Sequence, residues 1–161
     1  SPSPSPSPIP SPSPSPSPSP SATDPAAGLG ISAPYTLVAF DPVQEVLLQQ
    51  QWKTALGAFG ALITVGEREV KSGSDVAGVV IVMAFPAGSL TDQTYKGAVG
   101  GMAASSKLTF SVKRIAGVDV SVATKGQGYA MFRAGDHILL VVTPSATAIT
   151  DVTTALIKAN G

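Results

Sequence analysis

From Lys107 onward, apolar and polar residues alternate with a period of two. Leu108, Phe110 and Val112 interleave with Thr109, Ser111 and Lys113. After Ala116-Gly117, Val118, Val120 and Val122 interleave with Asp119, Ser121 and Ala123. Gly126-Gln127-Gly128 then turns the chain into Tyr129 to Arg133, and Ala134-Gly135-Asp136 turns it again into His137 to Thr143. Four strands joined by short turns predict an antiparallel meander.

Upstream the pattern is mixed. Tyr35 to Phe40 is aromatic and β-branched and reads as a strand. Asp41-Pro42 is a helix start, with a capping carboxylate, Pro at the first helical position and Gln44 placed for a capping box. Leu48, Trp52, Ala55, Leu56 and Phe59 recur at helical spacing until Gly57 and Gly60 end the run. Ile63 to Lys71 suits a strand with Glu67, Glu69 and Lys71 exposed. Val76 to Phe85 is apolar throughout, so it is expected to be buried on both faces in the middle of a sheet. Ser89 and Asp92 signal a second helix to about Ser106, with Tyr95, Val99 and Met102 on its apolar face. Gly97, Gly100 and Gly101 each cost that helix about 1 kcal/mol relative to Ala, which requires something close to its backbone; packing on the sheet is the expected cause. Pro144-Ser145 leads into a last helix with Ile149, Val152, Leu156 and Ala159 on one face, stopped by Asn160-Gly161.

The fold class expected from this order is α+β, an antiparallel sheet with helices packed on one face. It is preceded by a different kind of sequence. From Ser1 to Pro20, Ser and Pro alternate except at Ile9. Such a run has no apolar periodicity and lacks every second backbone donor, so it predicts a polyproline II rod of roughly 60 Å. The expected division is a stalk over 1–21, a joint over 22–34 and a globular domain over 35–161.

Polyproline II turns by three residues while Ser recurs by two, so the hydroxyls fall on all three faces. Ser1, Ser3, Ser5, Ser7, Ser11, Ser13, Ser15, Ser17, Ser19 and Ser21 are the candidate O-glycosylation sites, and a sleeve of sugar would stiffen the rod. A bare spacer is the plainer alternative. Leu29 and Ile31 in the joint, with Tyr35, Leu37 and Phe40 on the first strand, are candidate assembly residues. An extended apolar segment can add to the sheet edge of a second copy and propagate as a filament.

Ten basic and ten acidic residues give a net charge of zero, and they form no block of one sign. That composition offers no footprint for nucleic acid or an anionic membrane. There is no Cys, which excludes thiolate zinc sites and Cys nucleophiles, and no apolar run has membrane-spanning length. A chain beginning at Ser1 without Met is expected to be a processed or trimmed product, from which any upstream signal peptide or lipid-attachment Cys is lost to view.

Catalytic chemistry has little to stand on. His137, the single histidine, lies beside Asp136 at a hairpin with no nucleophile motif to serve. Gly126-Gln127-Gly128 opens no helix, so a turn explains it better than a dinucleotide site. Glu67, Glu69 and Asp75 fit no calcium loop, and Trp52 reads as core. No catalytic residue, cofactor or metal site is assigned.

A Ser-Pro repeat ahead of one small domain resembles the stalks of bacterial surface lipoproteins and secreted glycoproteins. Ile115 to Val120, Tyr129 to Val142 and the short terminal helix are similar to C-terminal domains of such lipoproteins, over roughly the last third of the chain. Ser-Pro repeats are also similar to those of hydroxyproline-rich wall glycoproteins. The resemblance implies export and surface display, and it offers no catalytic residues to carry over. The leading expectation is an extracellular or cell-surface structural glycoprotein that self-associates into a fibre. Next come a stalked monomeric lipoprotein domain binding a small ligand or envelope partner, and then a secreted enzyme.

Overall fold

Seven strands form one antiparallel sheet in the computed structural model, which describes residues 2–10 and 24–161. They are β1 (Tyr35–Val38), β2 (Thr64–Ser72), β3 (Asp75–Ala84), β4 (Ser111–Ile115), β5 (Val118–Lys125), β6 (Gln127–Ala134) and β7 (His137–Thr143). Their order is β1-β2-β3-β7-β6-β5-β4. The predicted meander is present as β4 to β7, folding back until β7 pairs with β3. Its first strand, however, starts at Ser111 and not at Leu108, and Val112, expected on the apolar face, is exposed on this edge strand. Ala116 and Gly117 both take positive φ, the mirror-image turn that matches the twist of a two-residue hairpin.

Three helices accompany the sheet: α1 (Pro42–Ala55), α2 (Asp92–Ser106) and α3 (Ile149–Asn160), with a 3₁₀ turn at Gly57–Ala61 after α1. The chain must travel from β3, third in the sheet, to β4 at the far edge, a span of about 19 Å at ordinary strand spacing. The 15 residues of α2 supply about 22 Å of helix, enough to cross the sheet.

The helices do not share a face, which corrects the one-face arrangement expected from the sequence. Strand alternation explains why. Val80, Val82, Leu139, Val141, Ala130 and Phe132 point to one side and pack with Ile149, Val152, Leu156 and Ile157 of α3. Ile81, Met83, Ile138, Leu140 and Met131 point to the other, where Trp52 and Leu56 from α1 meet Tyr95, Val99 and Met102 from α2. The uninterrupted apolar run of β3 already demands cover on both sides.

Packing begins upstream of residue 35. Ala26 is buried in the α3-side core, and Leu29 and Ile31 lie against it. Asp24 pairs with Arg68 of β2. Gly30 exchanges hydrogen bonds with the Asn160 side chain at 3.0 and 2.8 Å, and the Ser32 N–H donates to the Ala155 carbonyl at 3.1 Å. Gly66 is required beneath this segment, because any Cβ there would run into Asp24 and Ala26. The rod is not part of the described architecture: residues 2–10 are exposed without regular structure, and Ser1 and residues 11–23 lie outside the described residues.

Asp41 caps α1 as its sequence implies, its Oδ1 accepting from the Val43 N–H at 2.9 Å. Asp41→Ala is expected to cost about 1 kcal/mol, read by chemical denaturation.

Candidate ligand-binding site

Neither α1 nor α2 has a fully buried residue. Both helices rest on the sheet through partly buried side chains, and their low amphipathicity follows from sequence. Val43, Val46 and Leu47 face outward on α1, while α2 is rich in Gly and Ala. The N-terminal half of α2 is well fixed. The Thr91 side chain caps it by accepting from the Thr94 N–H, and Asp92 pairs with Arg133 at 2.8 Å. Tyr95 donates to the Met131 carbonyl at 2.7 Å and lies 3.1 Å from the Ser121 hydroxyl. Burial pushes the Tyr95 phenol up, partly opposed by its bonding to Ser121.

Beyond Tyr95, α2 runs through Gly97, Gly100 and Gly101. All three positions are exposed, and a Cβ added at any of them would meet nothing within 4 Å outside the helix's own backbone. Packing on the sheet is therefore not what these glycines serve. Gly97 and Gly101 instead border an apolar cavity of about 470 Å³ between the two helices and the sheet. Its α1 wall is Trp52, Ala55 and Leu56, its α2 wall also contains Ala98 and Met102, and Met83, Phe85 and Met131 come from the sheet side. Thr94, Ser105 and Ser106 contribute hydroxyls, but each already has a neighbour. Thr94 faces Thr91 at 2.9 Å, Ser105 donates to the Met102 carbonyl at 3.2 Å, and Ser106 lies 3.3 Å from the Met102 sulfur. No charged residue lines the cavity.

Glu67 lies close behind this wall. The sequence places it on an exposed strand face, yet it is 1% exposed because α1 covers that part of β2. Desolvation first and the nearby Glu45 second push its carboxyl up to about 7, partly opposed by hydrogen bonding from the Trp52 side chain.

The sequence-derived candidates are placed elsewhere. Ser3, Ser5 and Ser7 are exposed, while Ser1, Ser11, Ser13, Ser15, Ser17, Ser19 and Ser21 lie outside the described residues. Leu29, Ile31, Tyr35 and Leu37 pack against their own α3-side core, and Phe40 is half-buried. His137 sits half-buried at the start of β7, in register with Ala84 and Ala134. Among the described residues no group of acidic or histidine side chains is arranged to hold a metal ion, and no helix is long and apolar enough to cross a membrane. Comparisons with protein-family models, with curated proteins and with solved structures find no match.

Proposed function

We propose that this chain is an exported, stalked binding module that holds a small, neutral, mostly apolar molecule between α1 and α2. The observation that carries the reading is the cavity of about 470 Å³ that the chain's own side chains leave empty. Its size falls in the ordinary range for small-molecule sites, and apolar lining with few polar groups is their usual character. A neutral ligand follows from a wall without charges and with its hydroxyls already engaged. Gly97 and Gly101 on the border of the cavity favour the same reading, since a chain selected for stability alone gains by replacing helix glycines. The Ser-Pro run supplies reach from a surface, with or without sugar on its serines.

Self-association by strand addition fits less well. Tyr35–Val38 already pairs with β2 of its own chain, and Leu29 and Ile31 already fill their own core. Adding them to a second copy would first require extracting them from the first.

The single tryptophan makes a direct test possible, because Trp52 is in the cavity wall. N-phenyl-1-naphthylamine, a neutral apolar fluorophore, is expected to quench Trp52 saturably at one site per chain while its own emission rises. A straight-chain alcohol should displace it. Linear, non-saturating quenching would remove the proposal.

A further inference from the structure

The buried carboxyl of Glu67 has no counter-ion and no well-formed hydrogen bond. Trp52 is the donor side chain that faces it, and neither oxygen is met at full hydrogen-bond geometry. It projects from β2 on the α1 side of the sheet, in register with Ile81 of β3, where its neighbours Val65 and Met83 are core. From α1, Glu45 and Trp52 face it. Along its own strand, Arg68 is committed elsewhere, donating to the main-chain carbonyl of Glu67 at 2.6 Å, pairing with Asp24 and lying 3.9 Å from Glu45. Glu69 is paired with Lys71 at 3.3 Å. Among the described residues, no cation lies within 4 Å of the Glu67 carboxylate. A charge left there has neither water nor a counter-ion, and a side chain in that position is either neutral or displaces what covers it.

What covers it is α1, which is also one wall of the cavity. Trp52 belongs to both sites: it touches the environment of Glu67 and it lines the cavity. Gly57, with φ of 56°, ends the helix just after its cap Leu56, in a conformation that glycine holds without strain.

We infer that Glu67 is a proton-operated latch on the cavity. With the side chain neutral, α1 stays seated and Trp52, Ala55 and Leu56 complete the ligand's wall. With the side chain ionised, α1 lifts to let water reach the carboxylate, and the wall is lost. This regulation rests on the ligand-binding reading above.

The direction of the effect follows from linkage. In the seated state the carboxyl holds its proton up to about 7, against an ordinary value of 4.5 when solvated. Seating is therefore fully favoured below the ordinary value, and the advantage is lost as pH rises from there through about 7. Because the ligand contacts α1 only in the seated state, its affinity falls over the same window, by at most about tenfold per pH unit. Reciprocity requires that ligand binding at neutral pH takes up protons.

The test is titration of the full chain with N-phenyl-1-naphthylamine, followed by probe emission, at pH 5.5 and pH 8. The wild type is expected to bind about tenfold or more weakly at pH 8. Glu67→Gln, which keeps shape and removes the charge, is expected to bind equally well at both. In lightly buffered solution at pH 7, a pH indicator should register proton uptake on binding by the wild type and none by the variant. Equal affinity of the wild type at both pH values, with no proton uptake, overturns the latch and leaves the binding site standing. A Glu67→Gln variant that keeps the wild-type pH dependence also overturns it. Absence of saturable binding at either pH overturns the site itself, and the latch with it.

Discussion

Replacing Gly97 and Gly101 together by leucine should stabilise the domain by about 2 kcal/mol and weaken binding of the naphthylamine by more than tenfold. The two effects come from one geometric fact. The positions are four apart on α2 and so share a face, both border the cavity, and nothing outside the helix's own backbone lies within 4 Å of a Cβ built at either. Each Gly in a helix interior costs about 1 kcal/mol relative to Ala, and Leu is nearly as good a helix former. Burial of the new side chains against Trp52, Leu56 and Met131 adds to this, and some local overpacking subtracts. The space they take is the space the ligand needs. Chemical denaturation and probe titration on the same samples measure both effects. A destabilised variant means that α2 already lies against something at these positions. A stabilised variant with undiminished binding puts the ligand elsewhere.

The sheet was largely legible from sequence because its signals are local. Alternation from Leu108 to Val122 and glycine-bearing turns at Gly117 and Gly135 signal β4 to β7, although β4 starts only at Ser111. Ser121 and Ala123, on the polar side of the alternation, are buried because both faces of β5 are covered. The start of α1 and the end of α3 follow from Asp41-Pro42 and Asn160-Gly161 in the same way. The second helix is capped by Thr91 and not by Ser89, because Ser89 is spent on the turn before it, where its hydroxyl donates to the Pro86 carbonyl at 2.7 Å.

The candidate site depends on relations that no local pattern encodes. Three glycines in α2 announce an unusual backbone environment, but a helix pressed on a sheet and a helix arched over a cavity need the same residues. Glu67 alternates with Arg68 on a strand that reads as half-exposed. Only the return of α1 over β2 buries it, and only the commitment of Arg68 to Asp24 leaves it without a counter-ion. Both facts join segments far apart in the chain. A polar residue at a core position is the kind of local inconsistency that accompanies function, and here it lies against the same tryptophan that walls the cavity.

Removing residues 1–34 is expected to cost the domain on the order of 4 kcal/mol, although the sequence alone suggests that the fold starts at residue 35. The loss has separable parts. Burial of Ala26 and the half-burial of Leu29 and Ile31 against the α3-side core contribute about 2 kcal/mol together. Arg68, whose side chain is only 13% exposed, loses its closest carboxylate when Asp24 goes, which adds about 1–2 kcal/mol. The bonds from Gly30 to Asn160 and from Ser32 to Ala155, which tie the segment to α3, disappear as well. Against a total stability of roughly 5–15 kcal/mol, such a loss lowers the unfolding midpoint by many degrees. The proper control is deletion of residues 1–23, which removes the Ser-Pro run and keeps every contact from Asp24 onward; its thermal midpoint should stay within a few degrees of the full chain. Thermal unfolding of the three proteins side by side decides the matter. If the chain lacking 1–34 is as stable as the control, Asp24 to Ser32 is not part of the core and is free to seek a second copy. If it is destabilised as expected, loss of filaments on that deletion reports unfolding and not a missing donor segment. Assembly must then be judged by electron microscopy of the 1–23 deletion alone.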